Sequence, residues 1–219
     1  MDIQLLQTGP LGTNTYVVYG GSEKQCVVID PADAKPVIAF CERKELKCTH
    51  ILLTHGHFDH IMGVSELRTA MGAKVCMSDI DAPMLTQDEK DGNRVRSSTW
   101  GYHVEACPVD IFAKDGDVIQ AAGFAFKVIS TPGHTQGGVC YVLDEPEKVI
   151  FAGDTLFREN VGRVDLPGGS AQALHSSITK KLFTLQGDYA VYSGHSEETS
   201  LDHERRYNPY VTRWSPEEW

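Results

Sequence analysis

The chain has no apolar stretch approaching the roughly 20 residues that cross a bilayer as a helix. Its first residues, Met1-Asp2-Ile3-Gln4, lack the basic start and apolar centre of a secretory signal. A cytoplasmic location without a membrane partner is the resulting expectation. Positive charge is scarce: 20 Lys and Arg stand against 30 Asp and Glu, a formal net charge of −10. Such a field repels polyanions, so no nucleic-acid partner is expected, and small or weakly charged substrates fit better. There is no C-x-x-C pair; Cys26, Cys41, Cys48, Cys76, Cys107 and Cys140 lie scattered, mostly among apolar neighbours. That scatter favours buried reduced thiols over a disulfide framework or thiolate ligands. No repeat of 20–50 residues and no low-complexity tract interrupts the sequence. What is present is an ordinary globular composition, 41% hydrophobic over 219 residues, enough for a real core in one domain spanning residues 1–219.

The pattern alternates between strands and helices. Strands are expected at 3–7, 14–19, 25–29 and 48–53, each bounded by turn residues, with a helix over 36–46 whose first turn tolerates Pro36. Ile61, Val64, Leu67 and Met71 recur at helical spacing, and Gly72 is a suitable stop. Residues 87–107 show no clean period and include two aromatics expected to be exposed, Trp100 and Tyr102; a lid beside the site and a plain surface excursion are both open. Further strands are expected at 109–113, 117–121, 124–130, 138–143, 148–152 and 189–193, with a helix over about 171–185 capped by Ser170. Strands clustered in both halves, with helices after each cluster, suggest an α/β (α+β) domain of two packed sheets with helices on the outer faces.

Chemistry concentrates at Thr54-His-Gly-His-Phe-Asp-His60, which follows the apolar run Ile51-Leu52-Leu53. Imidazole and carboxylate are ligands for zinc and other borderline divalent ions. Four such side chains within six positions cannot all face one tetrahedral ion from a regular element, so the spacing points to two metals. If the chain leaves a strand at Thr54 and turns through Gly56 into a helix near Asp59, His55 and His57 face one ion while Asp59 and His60 face another. The bland alternative, a surface histidine run, does not account for the buried strand before it.

Three more candidates stand directly after strands. His134 lies in Thr131-Pro-Gly-His-Thr135, Asp154 in Gly153-Asp-Thr155 and His195 in Ser193-Gly-His195, each with a small residue before it. Singly, each has a structural alternative: a turn cap, a helix N-cap, a satisfied loop histidine. Together with residues 54–60 they divide into His55, His57 and His134 for one metal, Asp59, His60 and His195 for the second, and Asp154 as a bridge. His50, His103, His175 and His203 have no comparable context.

The HxHxDH run, TPGHT, GDT and a late GH, in that order over nearly the whole chain, resemble the metallo-β-lactamase superfamily. Within it, Phe157 to Ser170, containing Gly162-Arg163-Val-Asp165, and Glu204 to Tyr210 resemble single-domain glyoxalase II-like hydrolases. The resemblance implies a four-layer αββα sandwich with the metals at one edge, and the seven ligand roles above. His57 stands where the flavodiiron branch has a carboxylate. Full-length glyoxalase II carries a helical C-terminal domain that holds glutathione, whereas 24 residues follow His195 here, so glutathione recognition is not carried over with the thioester chemistry.

Two divalent ions, zinc first with iron or manganese as alternatives, would make a bridging hydroxide available near neutral pH. The expected function is a metal-dependent thioester hydrolase in which that hydroxide attacks an S-acyl carbonyl, with Asp59 also orienting the nucleophile. Arg163 is expected either to hold a substrate carboxylate or to pair with Asp165 as a loop brace. The rivals are a mononuclear-iron persulfide dioxygenase, a lactonase or β-lactamase of the same fold, and a non-enzymatic metal staple. Closed structural zinc cages are typically rich in Cys, unlike this His and Asp set.

Overall fold

Val17 and Val28 turn to one face of their sheet while Val18, Val27 and Ile29 turn to the other, and all are buried. That two-sided burial explains why these strands read as unbroken apolar runs. A computed structural model describes residues 1–21, 23–86 and 101–213. The first sheet runs β1 (Asp2–Thr8), β2 (Thr13–Tyr19), β3 (Gln25–Ile29), β4 (Lys47–Leu52), β5 (Lys74–Ser78) and β6 (Ile111–Ala113) in spatial order. Its β1, β2 and β3 pair antiparallel, and β3 through β6 pair parallel. The second sheet has the order β14 (Thr199–Ser200), β13 (Ala190–Ser193), β10 (Val149–Gly153), β9 (Val139–Leu143), β8 (Phe124–Ser130), β7 (Val118–Ala121). Between these, β11 (Leu156–Phe157) and β12 (Asn160–Val161) form a separate hairpin.

Three apolar layers result. The central one packs the sheets together, with Tyr16, Val18 and Leu52 facing Phe126, Tyr141 and Phe151. On the outer side of the first sheet lie α1 (Ala34–Lys44), α2 (Phe58–Ile61), α3 (Val64–Met71) and α4 (Pro83–Thr86). On the outer side of the second, Leu174, Ile178 and Leu182 bury one face of the helix beginning at Ala171. The expected αββα sandwich is the observed fold. Among the described residues no helix is long and apolar enough to cross a membrane.

Several boundaries differ from the sequence reading. The first helix starts at Ala34 because the Asp33 side chain accepts from the Lys35 N–H, and it stops at Glu45, whose φ of 54° is left-handed. The helix over 171–185 is α-helical only over Ala171–Ser177 and continues as a π-helix over Ile178–Leu182. Strand β5, helix α4, the β11–β12 hairpin and the helices Leu201–Tyr207 and Pro209–Thr212 have no counterpart in that reading. Of the segment 87–107, residues 87–100, including Trp100, lie outside the described residues. Tyr102 is not the exposed aromatic expected: it stacks on Phe58 at 5.9 Å, and Val104 and Cys107 are buried beside it. That packing makes residues 101–107 part of the first helical layer. All six cysteines are buried free thiols, as expected.

Candidate metal centre

The ends of four strands meet at one edge of the sandwich. From β4 come His55, His57, Asp59 and His60; from β8, β10 and β13 come His134, Asp154 and His195. The register between β10 and β13 shifts at Gly153, an irregularity that re-aims the residue after it. Small residues let the loops converge. A Cβ on Gly153 would sit 2.2 Å from Thr54 Oγ1, and one on Gly194 would sit 2.3 Å from Asp154 Oδ1 and 2.6 Å from His60 Cε1. The glycines noted before these ligands are therefore required by space, and Gly153 also by its φ of +49°.

All seven predicted residues come together, in the two triads expected. Ligand atoms of His55, His57 and His134 lie within 4.8 Å of one another, and so do those of Asp59, His60 and His195. His57 Nδ1 and His134 Nε2 are 2.8 Å apart, and His195 Nε2 lies 3.1 Å from Asp59 Oδ2. Asp154 stands between the triads, with Oδ1 3.4 Å from His60 Nε2 and Oδ2 3.4 Å from His134 Nε2.

Hydrogen bonds behind the site fix which ring nitrogen points inward. His134 Nδ1 donates to the Arg163 carbonyl at 2.6 Å, which leaves the Nε2 lone pair facing the centre. His60 Nδ1 is 2.9 Å from Asp30 Oδ2 and donates to it. Thr54 Oγ1 donates to the same Asp30 oxygen at 2.6 Å, so at 3.1 Å it can only accept from His55 Nδ1. Asp30 is buried and was not found from sequence. Its signal was available, since Ile29-Asp30 is again an acidic residue directly after an apolar strand. Asp30 can also be grouped with His55 and His60 as a third triad. Its oxygens already accept from Thr54 N, Thr54 Oγ1 and His60 Nδ1, which makes it an orienting group.

The donor set fits divalent cations. Three buried atoms have no hydrogen-bond partner among the described residues: His55 Nε2, His60 Nε2 and Asp154 Oδ1. An unpaired buried polar atom costs about 1–3 kcal/mol, and these three belong to the two triads and the carboxylate between them, where bound cations would satisfy them. The charges agree. Burial and the neighbouring His60, His57 and His134 push His55 well below its ordinary value, and burial, then His134, lowers His57. Burial opposes a charged His60, but Asp59, Asp154 and Asp30 outweigh it and raise its pKa well above the usual range. For Asp59 and Asp154 burial is likewise outweighed, chiefly by His60, and both carboxyls are held below the ordinary carboxylate value. Ionised carboxylates beside the neutral imidazoles of His55 and His57 are what hard and borderline cations need, and His60 releases its Nε2 proton when an ion binds.

The triads open into a cavity of about 330 Å³, walled by Leu11, Phe58, Phe157, Val161 and Leu166, with His57, Asp59, His134, Asp154 and His195 inside it and Arg163 also lining it. Arg163 makes a two-pronged pair with Asp165, Nε to Oδ1 and Nη2 to Oδ2 at 2.7 Å each, the arrangement expected of a loop brace. Among the remaining histidines, His50 packs beside Thr49 and His203 pairs with Glu159 at 2.9 Å, both away from the centre.

Sandwich, strand-end loops and paired His/Asp triads define a metal-binding domain of the αββα class. Residues 8–195 match the family model of the metallo-beta-lactamase superfamily, and the chain belongs to that superfamily. Hydroxyacylglutathione hydrolase GloC of Haemophilus influenzae is 30% identical over 214 residues, covering 96% of this chain and 98% of the relative. Among solved structures, BLEG-1, titled a B3 metallo-beta-lactamase, superposes with a TM-score of 0.88 at 34% identity, covering 96% of this chain and all of that one. TTHA1623 in a di-iron-bound form gives 0.82 at 33% identity, covering 95% and 100%. The chain is a metallo-hydrolase by family, and its triads and fold imply divalent metal ions.

Proposed function

We propose that the protein is a dinuclear hydrolase of S-acyl thioesters. The observation that carries this reading is an apolar-walled cavity whose inner end holds two triads on either side of one carboxylate, Asp154. His55, His57 and His134 would hold one ion, Asp59, His60 and His195 the other, and Asp154 would serve both. Bound there, divalent ions supply a water acidified from a pKa of 15.7 to roughly 7 and a Lewis acid for a carbonyl oxygen.

The chain's own residues supply the rest. Asp59 Oδ2 accepts from Thr13 Oγ1 at 3.3 Å, which orients the carboxylate, while His60 and then His195 outweigh its burial and keep it ionised, ready to orient a water or receive its proton. Leu11, Phe58, Phe157, Val161 and Leu166 exclude water from the acyl group and strengthen every electrostatic contact inside. Arg163 is braced by Asp165 through Nε and Nη2, so a substrate carboxylate would dock on its Nη1 side. A thiolate leaving group, with an ordinary pKa near 8.5, needs little protonation to depart. The Haemophilus relative supports the thioester over other carbonyl substrates.

The test is a panel of S-D-lactoylglutathione, a short-chain acyl thioester, a lactone, a cephalosporin and a glutathione persulfide, with purified metal-loaded protein. Hydrolysis of a thioester well above the lactone and cephalosporin supports the reading. Oxygen uptake with the persulfide and no thioester cleavage overturns it.

A further inference from the structure

Asp81 is buried to 1% exposure in the turn after β5 and takes no part in the triads. Its carboxylate accepts from three donors. Oδ2 takes Gly56 N–H at 3.1 Å and Thr135 Oγ1 at 2.7 Å, and Oδ1 takes Gly137 N–H at 2.8 Å. Gly56 lies between His55 and His57, and Thr135 and Gly137 follow His134, so every donor belongs to a loop carrying the first triad. The approach is close enough to dictate residue type. A Cβ on Gly137 would sit 2.5 Å from Asp81 Oδ1, and one on Gly56 would sit 2.5 Å from Met84 Sδ in α4. The same two loops are also joined by the backbone bond from Val139 N–H to the Thr54 carbonyl at 2.8 Å and by the approach of His57 Nδ1 to His134 Nε2 at 2.8 Å.

We infer that Asp81 is a positioning residue for the His55, His57 and His134 triad, setting the spacing between its two loops and selectively strengthening metal binding there. The side chains of the second triad have direct supports of their own. Asp59 is held by Thr13 and His60 by Asp30, neither of which Asp81 touches. Substituents behind metal ligands change affinity by roughly 10–100-fold, and a buried carboxylate adds charge complementarity to its geometric role. The inference rests on the reading that the triads hold two ions and is independent of the substrate.

The experiment measures Zn2+ binding by competition with a chromophoric chelator. The proteins are full-length wild type, Asp81→Asn, His195→Ala, and the His195→Ala/Asp81→Asn double variant. His195→Ala removes a second-triad ligand, so its remaining ion reports the first triad. Asn keeps the size of Asp81 but replaces one acceptor with an amide that opposes Gly56 or Gly137. The expected result is a 10–100-fold weakening of one ion in Asp81→Asn with the other unchanged, and the same weakening in the double variant relative to His195→Ala. Equal affinities in both pairs overturn the inference. So does an equal loss at both sites accompanied by a fall in metal-free Tm, which marks a merely structural role. Thr135→Val, which deletes a single donor, is read in the same assay should Asp81→Asn fail to fold; an unchanged first-triad affinity in it also overturns the inference. Failure of the two-ion reading is seen separately, as a wild type that binds fewer than two ions.

Discussion

Replacing Asp30 by Asn removes a charge and exchanges one acceptor oxygen for an NH2 group without changing shape. Three donors now converge on that carboxylate: Thr54 N at 2.8 Å, Thr54 Oγ1 at 2.6 Å and His60 Nδ1 at 2.9 Å. Asn can keep its oxygen toward Thr54 N, but its amide then faces Thr54 Oγ1 and His60 Nδ1. In the neutral form that binds metal, His60 must then accept instead of donate, which moves its one proton to Nε2, the atom aimed between the triads. At least one charge-assisted bond is lost, about 1.5–3 kcal/mol, and the ligating lone pair is lost with it. Metal-free Asp30→Asn should therefore unfold in guanidinium about 2 kcal/mol more easily at pH 7, on the same charge-assisted scale. Its affinity for the second ion should fall roughly 10–100-fold, and long-range 15N–1H NMR should show the His60 tautomer exchanged. A variant with unchanged unfolding free energy, unchanged metal content and the original tautomer would refute the reasoning.

Gly194→Ala should lose metal and activity together, because the new methyl would lie 2.3 Å from Asp154 Oδ1 and 2.6 Å from His60 Cε1; overpacking of this kind costs about 1–3 kcal/mol, and a crystal structure with both ligands undisplaced would contradict it. The chelated protein should lose stability as pH falls from about 7 toward 5. His55 and His57 have folded pKa values lowered below the unfolded 6.5, so the unfolded chain takes up protons that the folded chain refuses. Each such proton contributes up to about 1.4 kcal/mol per pH unit. His60 has a raised folded pKa; its contribution is complete below 6.5 and declines as pH rises through the folded value, so it does not cancel this trend. Urea melts across that range check the sign. Burial pushes Cys76 up to about 12 and Cys140 to about 11, and all six thiols are buried; iodoacetamide at pH 8 should label none in the folded protein and six after denaturation, by mass spectrometry. Asp165→Ala should loosen Arg163 and raise KM for a carboxylate-bearing thioester with little change for an uncharged one, since it deletes both 2.7 Å contacts that hold the guanidinium.

The six triad residues and Asp154 were legible because they follow apolar strands and are spaced by glycine or another small residue, a local signature of a loop at a sheet edge. The layers were legible too, since Leu174, Ile178 and Leu182 mark an outer helix and the unbroken strands mark two-sided burial. Asp81 was not, because its partners are two backbone N–H groups and a hydroxyl that only the tertiary fold brings to it. Strand β5 is five residues with four of them buried on both faces, too short to show a period. Tyr102 looked exposed because its stacking partner, Phe58, lies 44 positions earlier. The π-helical turn over Ile178–Leu182 leaves the apolar spacing nearly unchanged, so the pattern gave no sign of it.

The central claim is a two-ion centre that cleaves thioesters. Its most direct test is a titration of the chelated protein with Zn2+, following bound ions per chain and thioester hydrolysis together. The account predicts that hydrolysis saturates as the second ion binds and that His195→Ala stops at one ion with little turnover. Full hydrolysis at one ion per chain, or two bound ions with no thioester cleavage, would contradict it.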